Sequence, residues 1–168
     1  PILTMKNFPK PARCTLQSPW GAMTLAATED ALVWVGFDGQ KHDADTQAWP
    51  LSHQHPVLCQ TRIQLEQYFA AQRREFDIPL MMAFGTPFQQ QVWQQLRHIA
   101  AGSTSTYGAI ARALGNPNAM RAVGAAVGRN PISIIVPCHR VLGSNGSLTG
   151  FAGGLDRKQA LLRLEGLL

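Results

Sequence analysis

Long apolar runs, paired cysteines and, in its second half, acidic side chains are what this 168-residue chain has little of. No stretch of about 18 apolar residues occurs, so a membrane span is not expected. Pro1-Ile2-Leu3-Thr4-Met5-Lys6 places no long apolar region behind its first basic residue, so a secretory leader is not expected either, and the reading is a cytoplasmic protein. Three widely spaced cysteines, Cys14, Cys59 and Cys138, cannot build a disulfide framework and are read as free thiols. Each is then either a nucleophile or a small apolar residue. No glycine-rich phosphate loop is present, and no cofactor is expected. With 45% apolar residues and no low-complexity tract, the chain has the composition of a folded globular protein with one good core or two small ones.

The shortage of acids is one-sided. Residues 1–85 carry 7 Lys+Arg against 8 Asp+Glu, whereas residues 86–168 carry 8 Lys+Arg against only Asp156 and Glu165. A net charge of +6 in one half suits a polyanionic partner, because cationic side chains release counterions from phosphates whatever the base sequence. An ordinary basic solvated surface has the same signature.

The first half reads as α+β. Ala22–Ala27 and Ala31–Phe37 flank the polar turn Thr28-Glu29-Asp30 as a predicted antiparallel hairpin. Pro56 opens a predicted helix of about four turns with Leu58, Leu65, Tyr68 and Phe69 as its apolar stripe. Phe76–Leu80 is expected to be a short edge strand. The spacing His53-x-His55-x3-Cys59 is a weak metal candidate; surface histidines and a core cysteine are the preferred reading, and no metal is expected. Cys14 is likewise read as structural.

The second half opens with a helix start in which Thr86 caps, Pro87 fits the first turn and Gln89 completes a capping box. Two short predicted helices follow, one capped by Ser105-Thr106 and running through Ile110 to Leu114, the other from about Asn118 to Val127, with Gly115-Asn116-Pro117 between them. That is a helix-turn-helix pattern. The second helix is rich in Ala and Gly and carries a single long charged residue, Arg121, so binding with little sequence preference is expected. Ile132–Val136 reads as a β-branched strand closed by Pro137, and Asn145-Gly146 as the turn of a hairpin resembling a wing. In the final helix, about Asp156–Leu164, Leu161, Leu162 and Leu164 are expected to be buried. Glu165 then sits at the negative end of the helix dipole and needs a compensating partner.

The chemistry concentrates at Pro137-Cys138-His139-Arg140, expected as an exposed thiol at a strand end beside an imidazole and a guanidinium. A neighbouring base or cation raises the thiolate population. Adjacent residues of a strand point opposite ways, so Cys138 and His139 can cooperate only if the chain turns there or a water bridges them. With Glu165 orienting His139, the three would form a cysteine, histidine and acid relay.

Asn130-Pro131 followed by Pro137-Cys138-His139-Arg140-Val141 resembles the active-site signature of bacterial-type O6-alkylguanine-DNA alkyltransferases. Thr86-Pro87-Phe88-Gln89 with Val92-Trp93, Tyr107-Gly108, Arg121-Ala122-Val123-Gly124, Phe151-Ala152-Gly153-Gly154 and Leu164-Glu165-Gly166 follow in the family's order, so the resemblance is strong over residues 86–168 and weak over 12–80. It implies an α+β protein with a small antiparallel-sheet, ribonuclease-H-like N-terminal domain (1–80) and a winged helix-turn-helix C-terminal domain (81–168). It also implies irreversible, stoichiometric transfer of an alkyl group from O6-alkylguanine, with O4-alkylthymine a second candidate, to Cys138. His139 would be the base reached through a water, Glu165 its carboxylate, and Asn130 the link between helix-turn-helix and active-site loop. Tyr107 would push the target phosphate round and donate to the departing base, and Arg121 would fill the vacated stack, since a base must leave the duplex before an atom inside it is attacked. Asn118, Ala119, Met120 and Gly124 would share the DNA surface. Val141, Phe151, Ala152 and Gly153 would line the guanine pocket; other members often carry tyrosine and serine at 151 and 152, so a backbone amide would have to replace the serine hydroxyl here. The expected partner is double-stranded DNA containing O6-alkylguanine, met by a monomer able to self-associate on DNA. The alternatives are a binder of alkylated DNA without transfer, a cysteine hydrolase, and a sequence-specific winged-helix regulator; the presence of Cys138, the basic second half and the small-residue helix weigh against them in turn.

Overall fold

A computed structural model describes residues 8–82 and 84–168. Pro1–Lys6, on which the expectation about a leader rested, lies outside them. No helix among the described residues is long and apolar enough to cross a membrane.

The first half is an antiparallel three-stranded sheet in the order β1 (Ala12–Ser18), β2 (Gly21–Ala27), β3 (Leu32–Phe37). The expected hairpin is β2–β3, and β1 adds a strand that the sequence reading missed. Its signal was present: Cys14 and Leu16 point into the core while Thr15 and Gln17 stay outside. Helix α1 (Pro56–Phe69) packs across the sheet, its first turn capped by the His55 ring nitrogen, which accepts from the Val57 amide at 3.2 Å. Val33 and Trp34 of β3 belong instead to a second apolar cluster with Trp49 and Phe84.

Phe76–Leu80 does not form the expected strand. The stretch touches β3 only at a parallel bridge from Leu32 to Leu80, where the Leu32 amide donates to Pro79 and the Met81 amide to Leu32. Proline at 79 has no amide to give, which limits how far a ladder could extend.

In the second half, α2 (Pro87–Leu96) carries the expected capping box: the Gln89 amide donates to Thr86 Oγ1 at 3.1 Å, and the Thr86 amide to the Gln89 side chain at 2.9 Å. Two residues, β4 (Ser105–Thr106), lead into α3 (Tyr107–Ala113), capped by Thr106. Helix α4 (Met120–Val127) completes the helix-turn-helix, and Trp93 fastens it to α2 by donating its indole N–H to the Ala126 carbonyl at 2.8 Å. β5 (Val141–Leu142) and α5 (Leu155–Leu164) end the chain.

Two expectations for this half are corrected. Ile132–Val136 is a buried turn, because Asn130 takes the backbone groups a ladder would use and Ile134 adopts a left-handed φ of 72°. The wing is reduced to a tight turn at Asn145-Gly146, closed by the Gly143 amide on Ser147; β5 precedes it but no strand follows to make a hairpin, and β5 pairs in parallel with β4 instead.

Candidate active site and nucleic-acid surface

The site grows from the end of β3. The Val35 amide donates to Pro131 and the Ser133 amide returns to Val35, so the sheet of the first half clamps the loop that leads to Cys138. Asn130, buried at the end of α4, holds the loop from within: its Nδ2 donates to Val136 at 2.8 Å, and its Oδ1 accepts from the Ile132 amide at 3.0 Å. A β-branched residue at positive φ is costly, and Ile134 tolerates it here because these bonds fix its surroundings. Pro137 then turns the chain into a single 3₁₀ turn, Cys138–Arg140. That turn frees the sequence neighbours Cys138 and His139 from the opposite-pointing geometry of a strand.

Cys138 is not the exposed thiol the sequence suggested; it is 4% accessible. Burial pushes its thiol up, while the Asn130 amide and the Lys158 ammonium pull it back in part, so the resting sulfur is protonated rather than a standing thiolate. It nonetheless lines a cavity of about 160 Å³ together with Tyr107, Gly124, Gly150, Phe151 and Ala152. That is small beside the roughly 300–1,000 Å³ of sites for drug-sized ligands, and on the scale of one planar base.

His139 is fully buried, and its Nε2 meets Glu165 in a short hydrogen bond. Burial lowers the pKa of His139 despite the opposing carboxylate, so the imidazole is neutral. With Nε2–H given to Glu165, Nδ1 is left as an acceptor, and it has no protein partner among the described residues. Glu165 has the compensation its position at the end of α5 demands. Burial alone would raise its carboxyl, but His139, the Arg140 Nε at 2.6 Å and the Tyr68 hydroxyl at 2.7 Å outweigh that and hold it at about 2. Arg140 is itself anchored on the Ile99 carbonyl at 2.8 Å.

Arg140, expected as a guanidinium beside the thiol, serves Glu165 instead, and Tyr68 and Lys158 were not among the expected site residues. Lys158 is fully buried and donates to the carbonyls of Val141, Thr149 and Gly150 at 2.6, 2.7 and 3.0 Å, tying β5 to the loop that walls the cavity. Burial lowers its pKa to about 8. A lysine among Leu161, Leu162 and other helix residues looks like a solvated position, and only the carbonyls that converge on it reveal otherwise.

Of the expected pocket residues, Phe151 and Ala152 line the cavity, whereas Val141 and Gly153 are buried behind it. Tyr107 stands at the first turn of α3 with its hydroxyl donating to Thr149 at 2.9 Å, and burial raises its pKa. Gly124 lines the cavity too, so α4 presents one face to the pocket and another to solvent. Asn118, Met120 and Arg121 are exposed and Ala119 is half-buried at the helix start, which leaves a protruding surface of short side chains around one guanidinium. The first half also reaches the cavity: Lys41 and His42 line it, and the Lys41 amide donates to Ala152 at 2.9 Å.

The histidines and cysteine of 53–59 serve locally, His55 as the cap of α1 and Cys59 as a donor to the His53 carbonyl at 3.4 Å. Cys59 is half-buried rather than a core residue, while Cys14 is buried as expected.

Fold and site together define a cysteine-centred protein in which a helix-turn-helix stands directly over a base-sized cavity. Family models agree over both halves: the 6-O-methylguanine DNA methyltransferase ribonuclease-like domain matches residues 13–82, and the DNA binding domain of the same name matches residues 87–167. A methylated-DNA–protein-cysteine methyltransferase of Methanosarcina acetivorans is 48% identical over 89% of this chain and 95% of its own length. One from Haemophilus influenzae is 44% identical over 88% of this chain and 82% of its own. Among solved structures, the O6-methylguanine methyltransferase of Mycobacterium tuberculosis superposes with a TM-score of 0.84 at 44% identity, covering 92% of each chain, and the same organism's OGT in complex with DNA gives 0.83. The chain belongs to the 6-O-methylguanine DNA methyltransferase family.

Proposed function

We propose that this protein repairs alkylated DNA by moving the alkyl group of O6-alkylguanine in duplex DNA onto Cys138, once per molecule. The observation that carries the reading is the buried thiol on a base-sized cavity, followed in the same 3₁₀ turn by a neutral imidazole whose Nδ1 has no protein partner among the described residues. The thiol proton passes to His139 Nδ1, directly or through a water, as Sγ attacks the alkyl carbon. Glu165 stabilises the imidazolium that forms. The carbon–sulfur bond forms as the carbon–O6 bond breaks, and the electron pair leaves on guanine. Tyr107, once turned from Thr149, donates a proton to the leaving base, and its phenolate regains one from water as the His139 imidazolium gives its proton up to water, so the proton lost by sulfur is balanced by the one gained by guanine. A thioether offers water no carbonyl to attack, which makes the product final.

Asn130 sets the loop, and Arg121, with Asn118, Ala119, Met120 and Gly124, faces DNA. The Ala- and Gly-rich surface suits the narrow minor groove, with Arg121 filling the space of the extruded base. Phe151 and Ala152 contact the base directly, while Val141 and Gly153 support the wall behind them. We further propose that residues 1–80 and 81–168 are two domains, that the protein works as a monomer in the cytoplasm, and that O4-alkylthymine is a second substrate. Incubation with duplex DNA carrying O6-methylguanine should add one methyl group to the peptide that holds Cys138, and Cys138→Ser should abolish the addition. Repaired DNA beside unmodified protein would overturn the reading.

A further inference from the structure

Arg112, in the last turn of α3, is exposed and is paired with no acid among the described residues. The ion pairs found there both end on Glu165, and the other acid of the second half, Asp156, opens α5 and borders a hollow with Trp20 and Arg157. A cation in the last turn of a helix ordinarily serves that helix's terminal carbonyls. Arg112 runs the other way. Its Nη1 lies 3.4 Å from the point that a Cβ on Gly108, one turn back, would occupy.

Gly108 makes that berth. Glycine inside a helix costs stability relative to alanine, and the φ of Gly108 is not left-handed, so space rather than backbone conformation accounts for it. The Met120 Sδ stands 3.6 Å from the same point, so guanidinium and thioether fill one notch between α3 and the start of α4. Any side chain longer than that of alanine would contest it. Arg121 follows Met120 directly and is exposed, whereas Tyr107 lies against Gly124 on the cavity side of α4. Arg112 thus adds a second cation at the start of α4, next to the finger. Arg129 is also exposed, about two turns beyond Arg121, but it shares its hollow with Asp43 and Asp45, whose carboxylates offset its charge.

We propose that Arg112 grips a backbone phosphate of the DNA strand that passes the start of α4, as a positioning residue for the transfer. The proposal rests on the reading that α4 faces DNA. In a helix-turn-helix the first helix crosses the backbone while the second enters the groove, which puts α3 where phosphates run. A guanidinium matches two phosphate oxygens with parallel N–H donors. Such a contact carries no base information, in keeping with the small side chains of α4, but it holds the duplex to the surface while Arg121 takes the place of the extruded base. The first helix of the pair becomes part of the grip rather than only the support of the second.

The test is binding of the full chain to an unmodified DNA duplex over a series of KCl concentrations, followed by fluorescence anisotropy. Arg112→Ala should flatten the slope of log affinity against log salt by about 0.9, so that a tenfold rise in KCl costs the variant about eightfold less affinity than it costs wild type. Arg112→Lys, which keeps the charge, should retain the wild-type slope. Both variants should take the benzyl group from free O6-benzylguanine within about twofold of the wild-type rate, since that substrate has no phosphate. An unchanged slope in Arg112→Ala overturns the proposal, as does a slope lost equally in Arg112→Lys or a free-base rate that falls with it. Arg121→Ala, measured beside them, reports on the underlying reading. If it weakens duplex binding while Arg112→Ala does not, only the phosphate contact fails; if neither does, α4 is not the DNA face at all.

Discussion

The two halves of the molecule differ in what they contribute and in how they were encoded. Residues 86–168 hold the basic excess, the helix-turn-helix and the thiol, all within short sequence motifs. Residues 8–82 hold a nearly neutral sheet and helix with no motif of their own, yet three of their contacts end in the site: Val35 on the 131–133 loop, Lys41 on Ala152, and Tyr68 on Glu165. A single cluster of buried apolar side chains runs from Leu25 and Phe37 through Trp93 and Ile132 to Leu161. The lesson is that chemistry is placed by one half and held in position by the other.

If that division of labour is right, the largest effects must come from the second half. His139→Phe should slow methyl transfer by about 10²–10⁴-fold, the range lost with a general base, while the protein still binds DNA. A loss below about tenfold, measured as single-turnover transfer, would mean that sulfur ionises without the imidazole. Arg121→Ala should cost about tenfold or more on duplex DNA and almost nothing with free O6-benzylguanine, since only the duplex requires extrusion. Equal losses on both substrates would remove the finger role from Arg121.

What the sequence disclosed follows the same division. Thr86, Pro87 and Gln89 lie within four residues and report a helix start by local chemistry; Pro137–Arg140 are contiguous; Asn145-Gly146 marks a turn by its own backbone preference. Ile132–Val136 misled because β-branched composition signals a strand only where a ladder partner exists, and Asn130 intercepts the groups that would have paired. Tyr68 and Glu165 are 97 positions apart, and neither carries a local sign of the other. Lys158 was hidden for the opposite reason: its partners are backbone carbonyls, which every sequence possesses. The half with motifs was therefore largely legible, and the half that works through long-range contacts was not.

Tyr68→Phe probes that second kind of contact. It removes one donor from Glu165 and no carbon from the core, so it should cost about 1.5–3 kcal/mol of stability, the range for a hydrogen bond to a charged group, and slow transfer only a few-fold. The pH dependence separates this from a packing effect. A carboxyl held at about 2 in the fold and near 4.5 when unfolded contributes stability in full above about 4.5, and loses it as pH falls towards 2. Raising the folded value by removing Tyr68's hydroxyl narrows that window, so variant and wild type should converge at the acid end of a pH series of chemical denaturations. A constant gap at every pH would make Tyr68 a packing residue and the first half a scaffold alone.

The smallest effect is expected where the two halves meet in sequence but not in chemistry. Thr86 caps α2 immediately after the first half ends, and its side-chain hydroxyl bonds the Gln89 amide. Thr86→Ala should lower stability by about 1 kcal/mol through the lost cap, with transfer per folded molecule unchanged. Helix α2 nonetheless carries Trp93, whose indole holds α4 through Ala126, and α4 carries Arg121 and Gly124. A cap that loosened α2 enough to shift α4 would therefore slow repair on duplex DNA while sparing the free base. Thermal unfolding measured beside transfer from both substrates tells the cases apart: a lower midpoint with equal rates confines the cap to stability, and a duplex-specific loss would place α2 in the DNA-facing machinery despite its having no residue there.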